Sequence, residues 1–488
     1  MAQYVETLIL GAGPAGMSCA MELHRAGRRA TVVEKEAQVG GLAKTLQIGE
    51  FRTDIGPHRF YSKNKYLYDF IEDLLGEKWI QIPRFTRFYV EGKFYLYPVQ
   101  IGNALKNMGW RTAFRVIRDY CWEQLRGAIG FGRAETNFED YAVSKFGREL
   151  ARFNMINYTE KIWGIPCKQI SSDWASQRIA GLSLFSAVKA AFTKNPGPRT
   201  LVDSFYYPEL GTGLIYEAIA ERISKGGSTL LLRSTPMKVR HDGRSIVEVE
   251  VNHCGETVVF RPTYLVNSTP ILKFVRMFDS PPPPDVLEAC NQLDYRSQVY
   301  LFITLNKAQA IPDNWIYFPD KSIPFGRVSE MKNFSKRMAP EGNTSLLLEF
   351  FVFEGDDIWN MDREQLLARC MPHLERIGLL RRDEIIDTHL FRMSDVYPVY
   401  RIGYREHLDR IKKWLDGFEN LLYIGRPGRF RYNNQDHSIE MGILSAQSIL
   451  KGCRMDIENV GAEREHFEKG LPAYQKSFQH QVLEDRGA

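Results

Sequence analysis

No apolar run in this 488-residue sequence approaches the roughly 18 residues that a membrane-crossing helix needs. The best candidate, residues 181–192, is short and interrupted by Lys189. The N-terminus carries no charged leader followed by an apolar stretch and a cleavage site, so no secretory signal is expected. Charge of one sign is lacking too: 64 basic residues stand against 59 acidic ones, a net +5, which speaks against nucleic-acid binding. Cysteine is sparse and scattered. Cys19, Cys121, Cys167, Cys254, Cys290, Cys370 and Cys453 are odd in number and form no C-x-x-C pair, which speaks against a disulfide framework and a structural zinc site. A reducing, cytoplasmic setting is the expectation. What remains is ordinary globular composition, 44% hydrophobic and 25% charged, in a chain long enough for several domains around a closed cleft.

The informative part is the start. Residues 5–10 read as an apolar strand, followed by Gly11-Ala12-Gly13-Pro14-Ala15-Gly16 and a helical pattern to residue 26. A second strand, residues 30–33, ends in Glu34. In such a strand–turn–helix–strand unit Gly11 permits the tight turn and Gly13 lets the backbone approach a pyrophosphate. Gly16 allows close helix–strand packing, and the helix N-terminus, Ala15 included, offers amide donors to the phosphates. Glu34, eighteen residues after Gly16, is placed to accept hydrogen bonds from an adenosine ribose. Together these features predict a dinucleotide site.

Further along, aromatic and β-branched residues around Glu91-Gly92 predict a hairpin within 80–100, and residues 101–200 are mostly helical in pattern. Residues 229–266 alternate like strands, and residues 267–284, with four consecutive prolines from Pro281 to Pro284, read as a crossover linker. Residues 296–305 and 345–353 read as strands of a second sheet with a covering helix at 363–377. A strand at 421–424 and a helix at 438–450 follow. Residues 106–133 carry Lys106, Arg111, Arg115, Arg118, Arg126 and Arg133 against Asp119 and Glu123, interleaved with Trp110, Phe114, Trp122 and Phe131. A partly solvated helical subdomain is the commoner meaning of such a pattern, and peripheral contact with an anionic membrane is the other.

A second signature separates flavin from nicotinamide. Glu34-Lys35 is followed by Gly40-Gly41-Leu42 and Lys44, then by Gly56-Pro57-His58-Arg59-Phe60. This resembles the FAD-specific extension of amine-oxidase-like flavoproteins. The resemblance narrows to the UDP-galactopyranose mutases, eukaryotic-type, and their bacterial relatives in polysaccharide biosynthesis. Gly56 to Phe60 is similar to the mutase segment with a histidine beside the isoalloxazine, and Tyr158-Thr159-Glu160-Lys161-Ile162-Trp163-Gly164 to their cleft motif. Arg178 stands where they place one diphosphate-binding arginine. Trp315-Ile316-Tyr317-Phe318-Pro319 with Arg327 resembles the strand and second arginine of the substrate site. Phe205 to Pro208 with Gly211-Thr212-Gly213 resembles the return into the flavin domain. Gly425-Arg426 and Tyr432-Asn433-Asn434-Gln435-Asp436-His437-Ser438 resemble the motif that closes over the flavin. The resemblance runs from about residue 5 to residue 452.

It implies an α/β fold, with a Rossmann-like FAD-binding domain (1–80, 200–275 and 415–453), an antiparallel substrate-binding sheet (81–100 and 276–414), a helical insertion (101–199) and a peripheral tail (454–488). It adds Val239 to the FAD contacts, Tyr397 to the substrate contacts and NAD(P)H as an external reductant. The implied activity is ring isomerisation of a nucleotide-diphosphate sugar through a reduced-flavin N5 adduct. The other reading is an amine-oxidase or protoporphyrinogen-oxidase type of oxidoreductase, taking hydride from an amine, a carbon–carbon bond or a sugar hydroxyl. His58 is assigned to the flavin edge and Arg426 to its negative charge when reduced. Arg178 and Arg327 are assigned to the diphosphate, because two forked guanidiniums match it bidentately. Trp163, Trp315 and Tyr317 are either stacking residues or plain core aromatics. Val99 and Phe334 depart from the family pattern, where an aromatic and a tyrosine stand, so a differently substituted or lipid-linked sugar diphosphate is the expected substrate.

Overall fold

The computed structural model describes residues 2–62, 64–97, 107–173 and 204–461. The expectations placed on Val99, Lys106 and Arg178 therefore lie outside the described residues.

Strand Gln3–Leu10 is buried from Thr7 onward, and its period of two divides its side chains between two cores. Leu8 and Leu10 enter a core shared with Phe274 and Phe278. Ile9 enters the other, shared with Met17 and Met21 of helix Pro14–Arg25 and with Ile439 and Ile443 of helix Gln435–Lys451. A strand covered on both faces belongs in a parallel sheet. Gln3–Leu10 accordingly pairs in parallel with Ala30–Val33 and with Glu256–Asn267, while Thr229–Leu231 extends one edge. Leu421–Tyr423 also pairs in parallel with Glu256–Asn267. That strand is long enough to pair antiparallel at its other end, joining the meander Ser234–His241 and Ile246–His253. Segments from the beginning, middle and end of the chain thus build one sheet, the one that carries the Gly11–Gly16 turn.

The second sheet runs in the order Ile385–Pro398, Tyr295–Leu305, Thr344–Val352, Arg327–Glu330, Trp315–Tyr317, Thr86–Val90, Lys93–Leu96. All neighbours are antiparallel except Trp315–Tyr317 with Thr86–Val90. Val299, Leu301 and Ile303 pack on Leu366, Cys370 and Leu374 of helix Arg363–Ile377. Asp362 caps that helix by accepting the amide of Gln365 at 2.8 Å. Tyr300 and Phe302, on the opposite face, meet Ile55. The Glu91-Gly92 turn has both residues at positive φ, +50° and +79°, the geometry of a two-residue hairpin.

Helices Trp110–Ala128, Phe138–Phe146 and Asn157–Trp163 follow, the last entered through a wide helical turn, Ala151–Ile156. Two expectations change. Residues 267–284 are no bare linker: Ile271–Val275 is a buried helix, Phe278 bridges to Val239, and Pro284 starts a helix at the position where its missing N–H costs nothing. The start of the tail is not peripheral either, because Ile457 and Val460 are buried in the core that holds Ile9 and Ile439.

Candidate active site

The cradle at the end of the parallel sheet is shaped by backbone. Gly11 has φ +97°, and a side chain there would strike Ser268. A Cβ on Gly16 would lie 2.0 Å from the carbonyl oxygen of Gly11, so helix and turn pack backbone to backbone. Gly442 packs its helix equally tightly on Ala15 and Ser18, and Gly425, at φ +78°, sits against Ala15. Gly13 is different. It has ordinary extended angles, and a Cβ would meet only the Cα of Gly41, at 3.9 Å. Helix Pro14–Arg25 has no side-chain cap, which leaves its first amides, including those of Ala15 and Gly16, for an anion. Glu34 is buried at the far end and already accepts the amides of Ala12 (2.8 Å) and Glu36 (3.0 Å). Those bonds fix the carboxylate and leave it lone pairs for ribose hydroxyls. Open donors at a helix end, a backbone corridor at Gly13 and Gly41 and a fixed acid are what FAD requires, so the residues fit the group.

Other residues of this set take supporting positions. Leu42 is partly buried against the core, and Lys35 lies exposed beside Glu36. The amide of Asn434 donates to His437 Nδ1 (3.4 Å), and Ser438 donates to the side chain of Asn433 (3.1 Å). Gln435 accepts from Thr212 (3.2 Å) and Tyr216 (3.1 Å). Asp436 is buried, which pushes its carboxyl upward. Val239 is fully buried and bonded across to a neighbouring segment. Its amide donates to the carbonyl of Met277 and its carbonyl accepts from Asp279, so its only backbone donor is already committed. Met237, on the same strand, is the exposed residue there.

The second sheet supplies the cleft. Arg327 and Glu349 face each other across neighbouring strands, and the guanidinium donates through Nε and Nη2 to both carboxylate oxygens, each at 2.5 Å. Gln298 adds a donor to Glu349 at 3.3 Å, and Tyr300 donates to Gln298. Gly56 lies against this pair: a Cβ there would sit 3.1 Å from Glu349 and 3.4 Å from Arg327. The turn after Leu421–Tyr423 brings in a second cation. Arg426 donates through Nε to the carbonyl of Asn433 at 2.9 Å and lies over the rings of Tyr397 and Tyr432, 5.0 Å from each centroid. The neighbouring Pro427 anchors this turn, its carbonyl accepting the hydroxyl of Tyr295 at 2.7 Å. Tyr397 and Tyr432 stack at 5.5 Å, and Tyr158 meets Tyr317 edge-on at 5.2 Å.

His58 sits where these groups converge. The residue is half-buried, but its Nδ1 is shielded from water and has no hydrogen-bond partner among the described residues. Burial lowers its pKa to about 3, helped by the charges of Arg426 and Arg327 and opposed only weakly by the backbone of Gly56. Burial also opposes the Arg327 charge, but Glu349 outweighs it and holds the guanidinium well above its ordinary pKa. Burial pushes the hydroxyls of Tyr158, Tyr300 and Tyr397 upward, so they stay protonated donors. The cleft therefore holds two permanent cations, one matched anion, a neutral imidazole and a ring of phenols.

The His58 shift has a measurable sign. The unfolded histidine takes up a proton near pH 6.5 that the native ring refuses until about 3, so acidification favours unfolding through this residue. Between pH 7 and pH 5, native stability should fall by about 2 kcal/mol more in the parent than in a His58→Gln variant. Urea titrations at the two pH values measure this, and equal pH dependence in both proteins would contradict the assignment.

Several expected residues are buried or already engaged. Trp163 is core, packed among Tyr397, Tyr400 and Tyr432, and Trp315 is core, packed on Phe205 and Phe334. Phe334 is itself fully buried, its ring against Phe205, Tyr207 and Trp315. Arg327 is no open fork, since two of its three nitrogens already serve Glu349. Sequence reasoning does not find Glu349. Nor does it find Asp54, which ties Thr45 (2.6 Å), Tyr207 (2.6 Å) and the amide of Thr212 (3.1 Å) into one buried knot. Burial pushes its carboxyl up to about 7 against those hydrogen bonds. Among the described residues, no group of His, Cys, Asp or Glu could hold a metal ion.

A backbone cradle on a parallel sheet, joined to a phenol- and arginine-lined cleft on a second sheet, defines a two-part FAD flavoenzyme. A family model described as flavin-containing amine oxidoreductase matches residues 14–426, and the chain belongs to that family. An L-amino-acid oxidase of Bothrops jararacussu is 22% identical over 407 residues, 75% of this chain and 76% of its own. A phytoene dehydrogenase of Streptomyces griseus is 52% identical over 50 residues, 10% of each chain. Among solved structures, reduced UDP-galactopyranose mutase superposes with a TM-score of 0.81 at 23% identity, covering 96% of this chain and all of the other. Putrescine oxidase with putrescine bound gives 0.63 at 14%, covering 92% of this chain and all of the other. The protein is thus an FAD-dependent, amine-oxidase-like enzyme.

Proposed function

We propose that this enzyme acts on a nucleotide-diphosphate sugar or a lipid-linked sugar diphosphate, in a mutase-type ring isomerisation within polysaccharide biosynthesis. The observation that carries the reading is the grouping of two arginines, Arg327 and Arg426, with the phenols of Tyr158, Tyr317, Tyr397 and Tyr432 beside neutral His58. Cations and phenols suit phosphate and sugar oxygens, and Arg426, the cation not matched by Glu349, repels a protonated amine. FAD, when bound, supplies a nucleophilic nitrogen if reduced and a hydride acceptor if oxidised.

The chain's own residues divide the remaining work. The open amides at the start of helix Pro14–Arg25 and the corridor at Gly13 would hold the pyrophosphate of FAD, and Glu34 its ribose. Glu349 fixes the plane of Arg327, so its remaining N–H groups are oriented before a diphosphate arrives. Arg426, held by the Asn433 carbonyl, keeps positive charge beside Tyr397 and Tyr432. His58, neutral through the working pH range, would offer its unpartnered Nδ1 to the flavin or the substrate without bringing a charge of its own. Arg178 is proposed as the second diphosphate arginine, and NAD(P)H as the external reductant.

A second reading has its own support. The oxidase relatives include an enzyme of L-amino acids, and an α-carboxylate would also suit an arginine. Anaerobic mixing separates the two. A mutase should convert a sugar diphosphate only after dithionite reduction, consuming no electron acceptor. An oxidoreductase should bleach its oxidised flavin on addition of an amino acid or amine. Bleaching without any sugar isomer would reverse the ranking.

A further inference from the structure

Helix Trp110–Ala128 presents two different faces. Its inner side buries Val116 and Glu123, and it is pressed against the start of a neighbouring helix so closely that a Cβ on Gly147 would lie 2.7 Å from the amide of Tyr120. At 3.6 residues per turn, Trp110, Phe114, Ile117, Cys121 and Leu125 line up on the opposite, outward side. That side is apolar and bare. Trp110 is 77% exposed, Phe114 66% and Phe131, just beyond the helix, 71%. Of the fifteen large apolar side chains exposed among the described residues, seven fall between 110 and 131, so this is a patch and not scatter.

Charge accompanies it. Arg111, Arg115 and Arg118 run along one flank of the stripe, and Arg111 lies 5.2 Å from the ring of Trp110. The two acids of the helix are occupied elsewhere: Asp119 pairs with Arg118 (2.9 Å), and buried Glu123 pairs with Arg133 (3.0 Å). No acid of the helix is left for Arg111 and Arg115. Glu91, Glu149 and Asp320 share a hollow with Arg115, but Arg152 and Lys321 share it too. The outward face therefore combines large apolar side chains with surplus positive charge. None of the described helices is long and apolar enough to cross a membrane. A helix of this kind lies in the interface, with rings among the acyl chains and arginines among the headgroups.

We infer that the face of helix Trp110–Ala128 bearing Trp110, Phe114, Ile117 and Leu125 docks the enzyme on an anionic lipid surface. Charge complementarity selects this occupant: a second copy of the same face would bring Arg111 and Arg115 against their own kind. Docking is independent of the substrate, because none of these side chains belongs to the cleft.

Flotation of the flavin-loaded, full-length protein with vesicles tests it. Phosphatidylglycerol vesicles should carry the protein upward, phosphatidylcholine vesicles should not, and about 0.5 M salt should weaken the binding. Phe114→Ser with Leu125→Ser, and separately Arg111→Gln with Arg115→Gln, should each reduce the bound fraction by about tenfold at unchanged flavin content. These residues are exposed, so folding is not at stake. Protein that stays unbound with phosphatidylglycerol overturns the inference, as does equal binding by the serine variant. A dimer in analytical ultracentrifugation that the serine variant abolishes, without vesicle binding, would assign the face to a second copy instead.

Discussion

A Gly13→Val protein should fold, keep the secondary structure of its parent and lose its yellow colour. Most glycines of the cradle cannot serve as such a probe, because the protein itself forbids their replacement. A Cβ on Gly16 would come within 2.0 Å of the Gly11 carbonyl, and Gly11 and Gly425 hold positive φ. Gly16→Ala should therefore damage the fold with or without ligand. At Gly13 nothing described stands closer to a Cβ than Gly41 at 3.9 Å, and the angles, φ −76° and ψ −176°, suit any residue. What a side chain there would obstruct is a ligand. Flavin retained through gel filtration should drop by about tenfold or more, while circular dichroism stays unchanged. Full retention of FAD by Gly13→Val would mean that the pyrophosphate does not run past this residue.

The contrast between Gly13 and Gly16 also shows where sequence reasoning reaches. Local signals are legible because a motif that acts over a few residues carries its own geometry. The strand before Gly11, the helix after Gly13, Glu34 at the end of Ala30–Val33 and the Glu91-Gly92 hairpin are of this kind. Pairings across sheets are not legible. Arg327 meets Glu349 because two antiparallel strands take one register out of several, and no spacing along the chain announces which acid will lie opposite. The same holds for Trp315 and Phe334. Both are plainly apolar in the sequence, but nothing near either of them along the chain says that Phe205 and Tyr207 cover them. Residues 267–284 read as a linker because prolines dominate one end, whereas Ile271, Phe274 and Phe278 provide the apolar face that pins the segment into the core.

Arg327 should give the largest change in binding. Replacing it with Ala should destabilise the protein by about 3–5 kcal/mol, because Glu349 would remain buried without its counter-charge. That loss alone would confuse folding with function, so the informative variant removes both charges. Arg327→Met with Glu349→Leu should recover most of the stability, since matched apolar residues often replace a buried ion pair at little cost. It should not recover binding of UDP or a UDP-sugar, which should weaken by about 1.5–3 kcal/mol, the range for charge-assisted hydrogen bonds. Arg327→Lys retains charge but cannot satisfy two carboxylate oxygens in one plane while also reaching a diphosphate, so its affinity should fall between those of the parent and the double variant. Calorimetric binding, thermal unfolding and flavin content on the same preparations separate these effects. Unchanged nucleotide affinity in the stable double variant would remove Arg327 from the substrate site and, with it, the main physical support for a sugar diphosphate over an amino acid.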